Sequence, residues 1–409
     1  MRERPSLVWA LLLLICPALV GGCGLPGAAN EHERQVLIDY HFDQYAAVFP
    51  AYFPKHISVH PGDTVVFKQS WSGEPHTVTM GSAVDEVFGV MWKYLKDAPP
   101  FPDGPPPADV MPLLQKLGSL PPAQSQTSNQ FAQQGAQPCF VASGKLPDPG
   151  PKPCPNRTLK PFTGRQTYYN SGIIPYQGDQ GNTFRMSIAA DATPGTHYYM
   201  CLIHGPFMSG AVTIAPKGQA IPSQADVNAD AQKQLSKLSD PFGKALKDAQ
   251  GRGGTGSNLA GVAVPPTVGG SLTEFVPRTL KVKARQKVTW RIVGDFHTVS
   301  FNVPKYFPEI NFAKDGSVTY SNETINPVAG PGFPPPPPFD PSSSSPPPPP
   351  QPVHVDAGNY DGGHFLSSGL GGPTDPSQDF TYSVTFTKPG TYKYACLVHP
   401  QMVGEVDVQ

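Results

Sequence analysis

The chain has no charge excess of either sign. Its 409 residues carry 30 basic and 31 acidic side chains, a formal net charge of −1, with no basic patch and no acidic block. Nucleic acid is therefore not an implied partner. Long apolar runs are missing too: the most apolar stretch, Leu7 to Val20, is fourteen residues without a charge, too short for an ordinary membrane-spanning helix. There are only six cysteines and eight methionines, and no Met-rich or His-rich tract, which argues against an array of exposed, exchangeable metal ligands. The eleven histidines include no His-x-His pair, so a polynuclear centre built on paired imidazoles has no support. Proline (52) and glycine (41) are abundant instead, and favour strands, turns and loops over helices.

Arg2 and Arg4 precede the apolar run, and Gly21, Gly22 and Cys23 follow it, the three-part form of a secretion signal. The join Leu19-Val20-Gly21-Gly22-Cys23 resembles a bacterial lipoprotein signal, with residues 1–22 removed and Cys23 the lipid-bearing first residue. Ordinary cleavage near Gly22 is the alternative; both place the protein outside the cytoplasm. In that oxidising setting Cys139 and Cys154, fifteen positions apart in a Pro- and Gly-rich loop, are expected to form a disulfide.

Two segments repeat one pattern. Cys201-Leu202-Ile203-His204-Gly205-Pro206-Phe207-Met208 and Cys396-Leu397-Val398-His399-Pro400-Gln401-Met402 each follow a Pro-Gly-Thr turn, at a constant offset of 195 from turn to histidine. Upstream of each stands one His-Thr-Val, at His76 and His297. Around them, Ile57 and Val59 are answered by Leu280 and Val282, and Phe67 by Trp290, at an offset of 223. Matched pieces in the same order imply an internal duplication, and short strands with turn signals imply antiparallel β-sandwiches. The expected plan is a first domain over 30–218 with an insertion at about 85–165, a helical and Gly-rich linker over 219–270, and a second domain over 271–409 with a Pro/Ser-rich insertion at about 328–352. Within the linker, Leu235, Leu238, Phe242 and Leu246 recur at helical spacing.

One thiolate, two imidazoles and a weak thioether are the ligand set of a trigonal type 1 copper site, which moves single electrons. The expected ligands are His76, Cys201, His204 and Met208 in one set and His297, Cys396, His399 and Met402 in the other, for two copper ions per chain. The first loop has one more residue before its methionine. A three-ligand site with Met208 in the core, or a backbone carbonyl on the axis, stays open there. His32, His41, His56, His60, His197, His354 and His364 have no partners at ligand spacing and are expected to be ordinary, His60 and His197 at the surface.

On these motifs both halves resemble the cupredoxins, the blue copper proteins that include plastocyanin, amicyanin and azurin. The resemblance implies an all-β fold of two Greek-key sandwiches with long loop insertions, and a carrier of electrons between redox partner proteins of the cell envelope, with no catalytic residues. It also implies that His204 and His399 are solvent-edge histidines in an apolar patch with Pro206, Phe207 and Pro400. Copper oxidases of this family place a histidine beside the cysteine, whereas Met200 and Ala395 stand there. An envelope protein that buffers or delivers copper, and a two-domain copper oxidoreductase related to nitrite reductases, are the alternatives.

Overall fold

The computed structural model describes residues 31–70, 74–96, 159–174, 182–252, 258–264, 269–303, 353–372 and 380–409, with short pieces at 112, 310–312 and 318–320. Cys23, Cys139, Cys154 and the insertion at 328–352 lie outside them, as does most of 85–165.

The first sandwich pairs β1 (Glu33–Ile38) in parallel with β5 (Thr64–Gln69); β2 (Ala47–Val48), β3 (Tyr52–Phe53) and β4 (His56–Val59) lie between them in sequence. Next come β6 (Thr79–Met80), helix α1 (Ser82–Leu95), β7 (Tyr169–Asn170), β8 (Thr183–Ser187), β9 (Gly195–Cys201) and β10 (Gly205–Ile214). One sheet runs β3-β1-β5-β8 and the other β4-β10-β9-β6-β7. In β1 every second side chain, from Arg34 through Val36 to Ile38, is buried, the period of a strand with one face on a core.

Helix α2 (Gln224–Arg252) follows. The Ser223 hydroxyl accepts from the Asp226 N–H at 3.2 Å while the Asp226 carboxylate accepts from the Ser223 N–H at 2.9 Å, a reciprocal N-terminal cap. Its apolar stripe is not spent on a free-standing linker. Leu235 and Phe242 are buried with Tyr45, Phe49, Leu272 and Val276, in a core shared by both halves.

The second sandwich begins earlier than the sequence suggests, because β11 (Asn258–Val262), expected in the linker, pairs with its sheet. It continues through β12 (Ser271–Val276), β13 (Thr279–Val282), β14 (Lys287–Ile292) and β15 (Ser300–Phe301). After the small hairpin β16 (Ile310–Phe312) and β17 (Val318–Tyr320) come β18 (Val353–Tyr360), β19 (Leu366–Ser367), β20 (Phe380–Phe386), β21 (Gly390–Ala395) and β22 (Val403–Val408). The sheets run β18-β20-β14-β11-β12-β2 and β13-β22-β21-β15-β19. The fold is the expected all-β pair of Greek-key sandwiches.

The last strand of that six-stranded sheet, β2, comes from the first half. Ser271 pairs with Val48 and Leu272 with Ala47, and buried Glu274 accepts from the Ala46 N–H at 2.8 Å. The halves are thus joined by a sheet ladder and an apolar core as well as by the chain. Among the described residues no helix is long and apolar enough to cross a membrane.

Candidate metal centres

Each candidate centre is assembled by the same backbone devices. His76 and Ile174 exchange two backbone hydrogen bonds (2.9 and 2.7 Å), as do His297 and Gly371 (2.7 and 2.9 Å). These place the upstream histidine at the end of the sandwich, against the loop after β9 or β21. The threonine that follows ties that loop down: Thr77 Oγ1 accepts from the Leu202 N–H and Thr298 Oγ1 from the Leu397 N–H, both at 2.8 Å. The same two threonines donate a backbone N–H to the cysteine sulfur, Thr77 to Cys201 and Thr298 to Cys396, each at 3.4 Å. The valine N–H is taken by a serine hydroxyl, Val78 by Ser171 at 2.8 Å and Val299 by Ser368 at 2.9 Å. The His-Thr-Val motif is therefore a candidate ligand followed by two anchors.

The donor atoms converge. His76 Nδ1 lies 3.2 Å from His204 Nδ1, and Cys201 Sγ 3.5 Å from the latter. In the second half His297 Nδ1 and His399 Nδ1 are 3.1 Å apart, with Cys396 Sγ at 3.7 Å from His399 Nδ1. Three donors bound to one first-row ion at about 2.0–2.3 Å in a common plane stand about 3.5–3.8 Å apart, so both sets fit an ion with a small outward shift of the imidazoles. Cys201, Cys396, His76, His297 and His399 are all buried, out of reach of exchange with bulk water.

Both thiols are favoured in the thiolate form. Burial pushes the Cys201 thiol up, but the contacts with His204 and His76 outweigh it and hold the group well below its ordinary value. Burial and the contacts with His297 and His399 have the same net result at Cys396. The thiolate is the ligating species.

Met208 and Met402 are buried in the same core clusters as their cysteines. The extra residue of the first loop is absorbed in a bulge, where the β9–β10 register shifts between Gly205 and Ser209. The second loop closes more tightly, with the Cys396 N–H donating to the Met402 carbonyl at 2.9 Å and the Met402 N–H to the His399 carbonyl at 3.0 Å.

Two expectations need correction. His399 is fully buried and only 15 % of the His204 side chain is exposed, because the edge histidines face the other half of the chain and not solvent. His197 is not a surface residue: it is 8 % exposed, with Nδ1 2.8 Å from Asp85 Oδ2 of α1. The second half lacks an equivalent of this helix among the described residues, and Tyr392 stands in that place.

Three acidic residues near the centres escaped the sequence reading. Asp39 Oδ2 lies 3.5 Å behind His76 Nε2, with both side chains fully buried. Glu74 reaches His204 Nε2 at 3.6 Å and His399 Nε2 at 3.4 Å. Burial raises its carboxyl, but the contacts with these two imidazoles prevail and hold it well below the usual carboxylate range. A carboxylate of Asp295 lies within 4.8 Å of Glu74 and His399 donor atoms. A carboxylate on the outer nitrogen of a ligating imidazole fixes the tautomer, leaving Nδ1 free for the metal. Glu74 and Asp295 each stand two residues before a candidate ligand histidine, a signal that was there to be seen.

No protein-family model matches the chain, and no curated protein is similar to it. Solved structures with a partial likeness include the dithionite-reduced auracyanin of Roseiflexus castenholzii (16 % identity, covering 46 % of this chain and 100 % of that one, TM-score 0.21). Auracyanin A, a blue copper protein of Chloroflexus aurantiacus, gives 16 % identity over 45 % of this chain and 98 % of its own, TM-score 0.21. A blue copper oxidase from Nitrosomonas europaea gives 11 % identity over 92 % and 85 %, TM-score 0.17.

Proposed function

We propose that the chain is a copper-binding electron-transfer protein of the bacterial cell envelope with two type 1 sites, held at the membrane through a lipidated Cys23 and exchanging electrons with redox partner proteins. The observation that carries this is the paired convergence, in buried surroundings, of one thiolate sulfur and two imidazole Nδ1 atoms. Copper bound there supplies reversible one-electron exchange between Cu(I) and Cu(II) with little change of geometry. The chain supplies the rest. Thr77 and Thr298 hold the loops, the sandwich excludes water, and the buried Met208 and Met402 would supply a weak thioether donor. Burial of the ligands speaks against a role in copper buffering or delivery, which needs exchangeable donors.

The test is a copper count with optical and spin-resonance spectra of the loaded chain. Two ions per chain and an intense thiolate-to-copper band are expected, and Cys396→Ser should remove about half of that band. One ion per chain, or complete loss of colour in that variant, would overturn the two-site reading. For the anchor, the chain is expected to partition with membranes and Cys23→Ala to be released; a wild-type soluble form starting beyond Cys23 would refute it.

A further inference from the structure

The two candidate centres look at each other. The Glu74 carboxylate touches the outer edge of one imidazole from each set, at 3.6 Å from His204 Nε2 and 3.4 Å from His399 Nε2. These are ion-pair contacts, longer than a charged hydrogen bond of about 2.7–2.9 Å by half an ångström or more. The enclosure is tight, since the Glu74 side chain is only 16 % exposed. The contact is built into the fold: the β2–β12 ladder and the core around Phe242 fix one half against the other. Each ligand imidazole that would face solvent in a single carrier is here turned toward its counterpart.

The pair is not symmetric. Val36 pairs with Phe67 and Asn258 with Trp290, so three residues further on Asp39 and Gly261 occupy equivalent places. Both have left-handed backbones, φ 59° and 86°. Asp39 sets a carboxylate 3.5 Å behind His76. At Gly261 a Cβ would collide with the His297 ring and the Val293 carbonyl, so no side chain is admitted there. A buried anion behind one ligand favours the more highly charged state of that centre; among the described residues there is no carboxylate behind His297, and Asp295 lies with Glu74 at the His399 edge between the two.

We propose, resting on the two-copper reading above, that the chain is a directed internal relay: an electron held at the first centre crosses the His204–Glu74–His399 bridge and settles at the second. In that step one Cu(I) becomes Cu(II) and one Cu(II) becomes Cu(I). No bond forms or breaks, no proton is exchanged, and Glu74 stays an anion throughout.

The test uses the copper-loaded full chain, reduced by one electron equivalent and sampled by freeze-quench spin resonance. Cys396→Ser and Cys201→Ser supply the spectra of the first and second centres alone. After equilibration the remaining Cu(II) should carry the first centre's spectrum, and the redistribution should be first-order and independent of protein concentration. Glu74→Ala should slow it at least tenfold, with two ions per chain and the dipolar broadening between the oxidised centres retained. If that broadening is lost, Glu74→Gln decides: slowing supports the bridge and an unchanged rate overturns it. The proposal is also overturned by an electron that rests at the first centre, or by single-centre variants with one spectrum and one midpoint. A third ion that disappears with Glu74 would make the carboxylate a ligand and would likewise sink it. A chain that never binds two coppers fails at the earlier step, and the metal count tells the two failures apart.

Discussion

Replacing Asp39 by asparagine should raise the reduction potential of the first centre and leave the second unchanged. Asp39 Oδ1 accepts the backbone N–H groups of Tyr40 (2.6 Å) and Phe49 (2.8 Å), and an amide oxygen can keep both. The change is confined to Oδ2, where an anionic acceptor facing His76 Nε2 becomes a neutral donor. With the charge roughly 8 Å from the bound ion, one imidazole away, and an effective dielectric of about 20, the lost attraction is about 2 kcal/mol. For a one-electron couple, where about 59 mV is tenfold, this is roughly 90 mV upward. The sign follows from charge: the carboxylate stabilises Cu(II) more than Cu(I), so its removal favours reduction. Spectroelectrochemical titration of Cys396→Ser with and without Asp39→Asn reads the first centre alone, and the same pair on Cys201→Ser is the control. A downward shift, no shift beyond titration error, or an equal shift in both backgrounds would refute the reasoning.

Other outcomes can be checked more simply. Gly210 and Gly404 lie flat against the rings of Tyr199 and Tyr394, where an added Cβ would overlap ring atoms; Gly210→Ala and Gly404→Ala should each cost about 1–3 kcal/mol, read by urea denaturation. Thr298→Val removes the acceptor of the buried Leu397 N–H, so it should cost about 1–3 kcal/mol and weaken the visible band of the second centre only. Stripping copper should lower the unfolding midpoint, and restoring it at a hundredfold excess over Kd should return about 2.7 kcal/mol per site, followed by calorimetry of loaded and stripped chain.

What was legible in the sequence is what depends on residue type at fixed spacing. The candidate ligands are cysteine, histidine and methionine in a short loop, and the strands alternate, so Cys201, His204, Cys396 and His399 and the β pattern around them stood out. The upstream His76 and His297 were legible because each brings its own threonine and valine anchors. What was hidden depends on how the halves meet. Glu74 and Asp295 share only charge and position before their histidines, in Glu-Pro-His and Asp-Phe-His, and their meaning appears only once the halves are docked. Asp39 was invisible for the opposite reason: a search for matched pairs passes over a residue whose counterpart is a glycine. His197 looked superficial because Tyr392 replaces it, yet α1 covers it and supplies Asp85. The stripe on α2 announced a helix correctly but could not say that both halves would bury it.

The β2–β12 ladder has a practical consequence for anyone who would separate the halves. A fragment starting near Asn258 would keep its own core cluster but lose its neighbour along β12, baring a row of backbone donors and acceptors beside the apolar side chains of Leu272 and Val276. Such an edge recruits the next strand it meets, from another copy if none is at hand. The fragment would be expected to self-associate, and a long-lived soluble monomer would have to cap that edge in some other way. The seam between the repeats is therefore a poor place to cut, although in the gene it is where two similar sequences meet.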